Sequence, residues 1–168
     1  MSFNSDLAGI AVAGWLCVAA PAQGPNPAPE MKELLSLVGT WATNETIEPN
    51  PGLPSGATFA GTVAVTLGPG GFSVILDHQS KGAAGTYAGN GMMAWHPSEK
   101  VYRLAWADST GPGMTFATGN KEGSGMVFRN GPIREVMDIT PDLFTLTVYR
   151  NDGSGEKKTM TIKYTRKQ

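Results

Sequence analysis

From residue 57 onward the apolar positions recur at every second residue, which is the period of a strand with one buried and one wet face. Phe59, Gly61, Val63, Val65 and Leu67 share a face, and GPGG (68–71) turns the chain. Phe72, Val74, Leu76 and His78 share the next face, and Tyr102, Leu104, Trp106 and Asp108 share another after the HPSEK turn (96–100). Met114, Phe116 and Thr118 follow, then Met126 and Phe128 after NKEGSG (120–125). Ile133, Glu135, Met137 and Ile139 precede a Thr140-Pro141-Asp142 turn, with Phe144, Leu146 and Val148 beyond it. The last strand carries Met160, Ile162, Tyr164 and Arg166 on one face and Thr159, Thr161, Lys163 and Thr165 on the other. Clean alternation with short links predicts an all-β fold, an up-and-down antiparallel barrel of about nine or ten strands. A barrel of that size has room for one small ligand.

Ahead of the strands the period changes. Met31, Leu34, Leu35 and Val38 fall at helical spacing and predict a short N-terminal helix that Gly39 stops. EPNPGLPSG (48–56) suits neither a helix nor a central strand and reads as a long loop. Leu7–Ala20 is an apolar run of 14 residues, too short for a membrane span and right for a signal-peptide core. Ala20-Pro21-Ala22 supplies a cleavage pattern, although MSFNSD lacks the usual basic residue. The chain therefore divides into a signal peptide (1–22), a proline-rich tether (23–30) and one barrel domain (31–168). Export to the periplasm or medium is expected; a cytoplasmic location is the alternative.

Composition narrows the classes. Gly (22) and Pro (12) are abundant in a 168-residue chain that is only 16% charged, which favours many strands and tight turns over a helical bundle. Lys and Arg total 13 against 14 acidic residues, with no basic cluster, so a nucleic-acid footprint is missing. Cys17 is the only cysteine, and cleavage after Ala22 leaves none for disulfides or thiol chemistry.

Gly39-Thr40-Trp41 at the start and Tyr164-Thr165-Arg166-Lys167 at the end resemble the calycin pattern of lipocalins and fatty-acid-binding proteins. In that pattern the tryptophan closes one barrel end and the arginine packs over it, so Gly39, Trp41 and Arg166 are the expected closure residues. LLSLVGTW, GNGMMAWHPSEKVYRLAWADSTG and IKYTRK together resemble the bacterial domain-of-unknown-function family numbered 1579, over about residues 31–168. Trp95-His96-Pro97 stands where that family shows Tyr-Asp-Pro. The resemblance implies an exported or envelope-associated lipocalin-like barrel and no established reaction. Related small barrels carry haem on a histidine near the C-terminus, but no histidine follows His96, so no cofactor is expected.

Candidate chemistry is sparse. Two histidines, His78 and His96, with no acidic cluster at ligand spacing make no metal site. His78 shares the apolar face of its strand, whereas His96 lies in a turn. Glu135 shares parity with Ile133, Met137 and Ile139, so it faces the interior unless a one-residue bulge turns it out, and Arg166 is a candidate partner. Trp106 points inward with Tyr102, and Trp95 is expected nearby as core or pocket wall. Asp108-Ser109 fits either a polar anchor at the barrel mouth or a plain strand end. Methionines in strand-like segments (Met92, Met93, Met114, Met126, Met137 and Met160) suit an adaptable apolar cavity or an irregular core.

Three readings of function fit these residues. The first is a binding module for a small apolar or amphipathic molecule, lined by Trp106, Tyr102, Met137, Glu135 and His78. The second is a structural barrel filled by its own side chains. The third is a small-barrel enzyme using Glu135 or His78 as general base.

Overall fold

The structure, a computed structural model, describes residues 26–168; the expected signal peptide and the first residues of the tether lie outside the described residues. Helix α1 (Met31–Leu35) is followed by ten strands: β1 (Gly39–Ile47), β2 (Ala57–Leu67), β3 (Ser73–Gly82), β4 (Gly85–His96), β5 (Val101–Asp108), β6 (Thr115–Glu122), β7 (Gly125–Asn130), β8 (Ile133–Ile139), β9 (Leu143–Asn151) and β10 (Glu156–Arg166). Each strand pairs antiparallel with the next, and β10 returns to β1 through Trp41–Arg166 and Thr43–Tyr164. The result is a closed up-and-down barrel with no free edge, which removes the aggregation hazard of an open sheet.

Alternation then sorts the side chains into lumen and exterior. Trp41, Val63, Val74, Met93, Phe128 and Phe144 are buried at the lumen face, and α1 adds Met31, Leu34 and Leu37 at one end. The helix is shorter than its pattern suggested. Leu37, beyond its last turn, is the third buried anchor, while Leu35 is exposed.

One register differs from the sequence expectation. On β6 the lumen positions are Ala117 and Gly119, whereas Phe116 lies outside at 65% exposure and Met114 lies in the preceding loop. The reason is steric: a Cβ at Gly119 would stand 2.6 Å from the Phe128 ring, so the larger β7 side chain fills that space. Leu67 and Phe72, at the β2–β3 turn, are also exposed. The methionines split accordingly. Met93, Met126, Met137 and Met160 belong to the core or pack against it, while Met92 and Met114 are exposed.

The β10–β9 register shifts between Lys158 and Met160. This bulge lies within Glu156–Thr159, and Thr159 Oγ1 donates to Val148 O at 3.2 Å. Residues 48–56 form the expected loop, pinned by a bridge between Asn50 and Leu53. No described helix is long and apolar enough to cross a membrane.

Candidate functional site

The two ends of the barrel are built differently. At the α1 end, Trp41 Nε1 donates to Leu37 O at 2.8 Å, and the Phe144 ring meets the indole edge-on at 4.8 Å. The Arg166 guanidinium lies 4.1 Å over the Trp41 ring. Its three nitrogens donate to Pro141 O, Val38 O and Ser36 O at 2.9, 2.9 and 2.8 Å. Gly39 is required here, because its φ is 141° and a Cβ would meet Arg166 Nη1 at 2.6 Å. The closure expected of Gly39, Trp41 and Arg166 is therefore present. Arg166, spent on the closure, does not pair with Glu135.

Tyr102 serves the same end. Its hydroxyl donates to Glu30 O at 2.9 Å and its ring packs on Trp95 at 4.9 Å. Burial, with the charges of Glu33 and Glu30, raises its pKa. Met137 lies in register between Met126 and Leu146 and is buried. Both residues belong to the apolar wall and floor.

Halfway up the lumen the chemistry changes. His78 Nε2 is 2.8 Å from Glu45 Oε1, and both residues are buried, at 2% and 5% exposure. Thr43 Oγ1 donates to the same Glu45 oxygen at 3.1 Å. Burial alone would raise the Glu45 pKa, but the hydrogen bond and charge of His78, aided by Thr43, outweigh it and hold the carboxyl below its ordinary value. Ser80 lies close enough to favour the ionised carboxylate, yet its hydroxyl makes no hydrogen bond of sound geometry, alone among buried side-chain polar atoms of the described residues. An aromatic box surrounds the imidazole: Tyr87 edge-on at 5.1 Å, with Trp106 and Tyr164 each at 6.5 Å.

Trp106 Nε1 donates to the Tyr87 hydroxyl at 3.0 Å. The indole lies across β4, where a Cβ at Gly89 or Gly91 would come within 2.6 or 2.2 Å of its ring. Two glycines at alternate lumen positions thus make the slot that holds it. The sequence expectation of Trp106 facing inward holds, but its neighbours are Tyr87 and His78, with Trp95 on Tyr102 instead.

Glu135 faces the lumen, as its parity predicted, in register between Phe128 and Val148. No hydrogen bond or ion pair to it is present among the described residues. Burial raises its pKa, and its charge helps to raise that of Tyr164. Asp108, at the mouth, accepts from Thr110 N and Oγ1 at 2.8 and 2.5 Å, while Ser109 Oγ accepts from Ala88 N at 3.1 Å. That is the plain strand-end arrangement. Among the described residues no group of three or more His, Cys, Asp or Glu is placed to hold a metal.

Leu76, Leu104, Trp106, Leu146 and Met160 all lie on lumen positions, yet each is only half-buried. Their lumen-side neighbours therefore do not cover them completely. A broad depression of about 670 Å³ also crosses β2, β3 and β4 beside Ser80 and Tyr87, and a smaller one of about 210 Å³ lies between Trp106 and the loop after β5.

The sequence pattern of the family described as "Protein of unknown function (DUF1579)" matches residues 26–166. The chain belongs to this family. No curated protein matches the sequence. Among solved structures, Rv2717c from M. tuberculosis is similar at a TM-score of 0.62 and 14% identity, over 85% of this chain and 100% of that one. The S-type phycobiliprotein lyase CPES from Guillardia theta is similar at 0.52 and 12%, over 82% and 92%. At these identities the likeness shows the shared barrel fold.

For this DUF1579 barrel the sequence reading missed Glu45, Tyr87 and Ser80. A signal existed for Glu45: counting by twos from Trp41 reaches Thr43 and then Glu45. Tyr87 had no such marker, since its strand reads TYAGNG with one large side chain among small ones.

Proposed function

We propose that this barrel binds a small apolar or amphipathic molecule in its lumen, entered from the end opposite α1. The half-buried, lumen-facing Leu76, Leu104, Trp106, Leu146 and Met160 carry this reading, because a barrel serving only as a solid body would bury them fully. The apolar wall with few polar groups, Glu45–His78, Tyr87–Trp106 and Glu135, has the make-up of small-molecule pockets. Trp106 is the contact residue best positioned to report occupancy, since its indole borders both the slot and the mouth depression.

Titration with a neutral solvatochromic dye such as Nile red tests this. Saturable binding with a blue-shifted emission is expected, lost or weakened in Trp106→Ala. A protein that folds yet shows no saturable uptake of dye would return the barrel to the filled, structural reading.

Residues 1–22 serve, in the same proposal, as an export signal, supported by the apolar run and the Ala20-Pro21-Ala22 pattern. Mass spectrometry of chain recovered from a bacterial periplasm should give a protein starting at Gln23. An uncleaved chain confined to the cytoplasm refutes export.

A further inference from the structure

The charge inventory of the lumen is one-sided. Glu45 and Glu135 occupy lumen positions within the barrel, against one imidazole, His78, already engaged by Glu45, while Asp108 lies at the mouth with Thr110. Among the described residues no lysine or arginine side chain is placed inside the barrel between its two ends. Arg166 is taken up in the closure over Trp41, and Lys121 lies at the α1 end paired with Glu33 at 2.5 Å. Arg150 and Lys157 continue the lumen parity only at the mouth, where both are exposed, and Lys157 is held by Asp152 at 2.8 Å. Past the mouth, where Arg150 lies, an anionic amphiphile would reach Glu135 with no lysine or arginine beside it among the described residues.

Glu135 is the focus of that asymmetry. Glu135 is half-buried, its register neighbours Phe128 and Val148 are buried and apolar, and no donor among the described residues satisfies it. A carboxylate held in apolar surroundings without a partner is costly to leave so, and a ligand group that supplies the missing donor recovers the difference. We propose that the lumen selects a molecule carrying a protonated amine on an apolar body, with the Glu135 carboxylate as its counter-charge. This rests on the lumen-binding reading above. The amine would sit against Glu135 while Trp106, Leu104 and Leu146 cover its apolar portion. Burial already raises the Glu135 pKa, and an ammonium beside it would lower it again, so binding should take up the charge that folding leaves unpaired.

A matched series of equal chain length tests this: n-decylammonium, n-decanol and n-decanoate at pH 7, at monomeric concentrations, by calorimetry and by Nile red displacement. The ammonium should bind about tenfold or more tightly than the alcohol, as a charge-assisted hydrogen bond implies, and the carboxylate more weakly than both. Glu135→Gln should bring the ammonium down to the level of the alcohol, while uptake of Nile red, which has no donor group, stays at the wild-type level and shows that the variant is folded. Glu122→Gln removes the same charge from the outer face, where Glu122 pairs with Arg129, and should leave all three affinities in place. Equal affinities, a preference for the carboxylate, an ammonium preference that survives Glu135→Gln, or one lost equally in Glu122→Gln, would each overturn the amine proposal while leaving a binding lumen. If none of the three binds and the dye is not taken up, the lumen reading falls with it.

Discussion

Replacing Arg166 with alanine removes a ring contact and three hydrogen bonds from a single point on the last strand. The guanidinium stacks 4.1 Å over Trp41 and bonds the carbonyls of Ser36, Val38 and Pro141, which belong to the α1–β1 link and the β8–β9 turn. The stacking contributes about 0.5–2 kcal/mol. Each hydrogen bond contributes about 0.5–1.5 kcal/mol net, toward the lower figure for the two whose acceptors water can reach. Together these give a loss of about 2–4 kcal/mol for Arg166→Ala. For a barrel of this length that lowers the melting temperature by roughly 6–15 °C. Arg166→Lys keeps a cation over the indole but cannot reach three carbonyls at once, so it should fall between wild type and alanine. Urea unfolding followed by tryptophan fluorescence measures both, and a Trp41→Leu/Arg166→Ala cycle isolates the ring contact. A loss below about 1 kcal/mol in Arg166→Ala, or a lysine variant equal to wild type, would refute a clasp made of fork and stack together.

Other perturbations probe the lumen. Gly91→Ala places a Cβ 2.2 Å from the Trp106 ring and should cost about 1–3 kcal/mol by overpacking, with a shift in tryptophan emission; an unchanged spectrum and stability would dissolve the slot. Glu135 and Glu45 should respond to pH with opposite signs. Because the folded pKa of Glu135 is raised above its ordinary value of 4.5, its share of stability is full below 4.5 and is lost as pH rises through the folded value. Glu135→Gln should therefore be more stable than wild type at neutral pH, with the gap closing below 4.5 in unfolding curves across pH; a gap of constant size contradicts it. The folded pKa of Glu45 is depressed, so its contribution is present above 4.5 and is lost as pH falls through the folded value. Glu45→Leu leaves His78 without its partner and should cost about 3–5 kcal/mol near neutrality; no loss there would mean the pair is unimportant to the fold.

What the chain disclosed and what it withheld follow from the physics of a strand. Period-two alternation carries the choice of face wherever both flanking residues are apolar, which is why Glu135, between Ile133 and Met137, was legible as a lumen residue. The G-x-W and terminal arginine were legible through their resemblance to the calycin pattern, in which a guanidinium packs over the closing indole. On β6 the same rule failed, since Phe116 is apolar and outside while the lumen positions are Ala117 and Gly119. Their smallness makes sense only once Phe128 is seen across from Gly119, and a cross-strand neighbour is not written in the local sequence. The Glu45–His78 pair was illegible for a related reason. It joins residues 33 apart on β1 and β3, which pair with the intervening β2 and not with each other, so no ladder neighbour announces the 2.8 Å contact.

The two ends of the lumen make opposite use of polar groups, and the contrast bears on function. At the α1 end the closing donors are matched: the Trp41 indole to Leu37, the Tyr102 hydroxyl to Glu30, the Arg166 fork to three carbonyls. Deeper in the barrel the buried Ser80 hydroxyl lacks a hydrogen bond, and the half-buried Glu135 faces the lumen with no protein partner among the described residues. A fully buried polar group without a partner costs about 1–3 kcal/mol, a large part of a domain's net stability, and a half-buried one costs part of that. An apolar residue at position 135, packed like its neighbours Phe128 and Val148, would be the stable choice for a barrel that only had to be solid. Two glycines at 89 and 91 likewise weaken their strand, and what they provide is the slot for one indole beside the mouth. Both features lower stability and both shape an interior surface. That combination argues for a lumen whose occupant completes what the chain leaves open, and the rigid clasp at the other end holds the barrel closed while it does so.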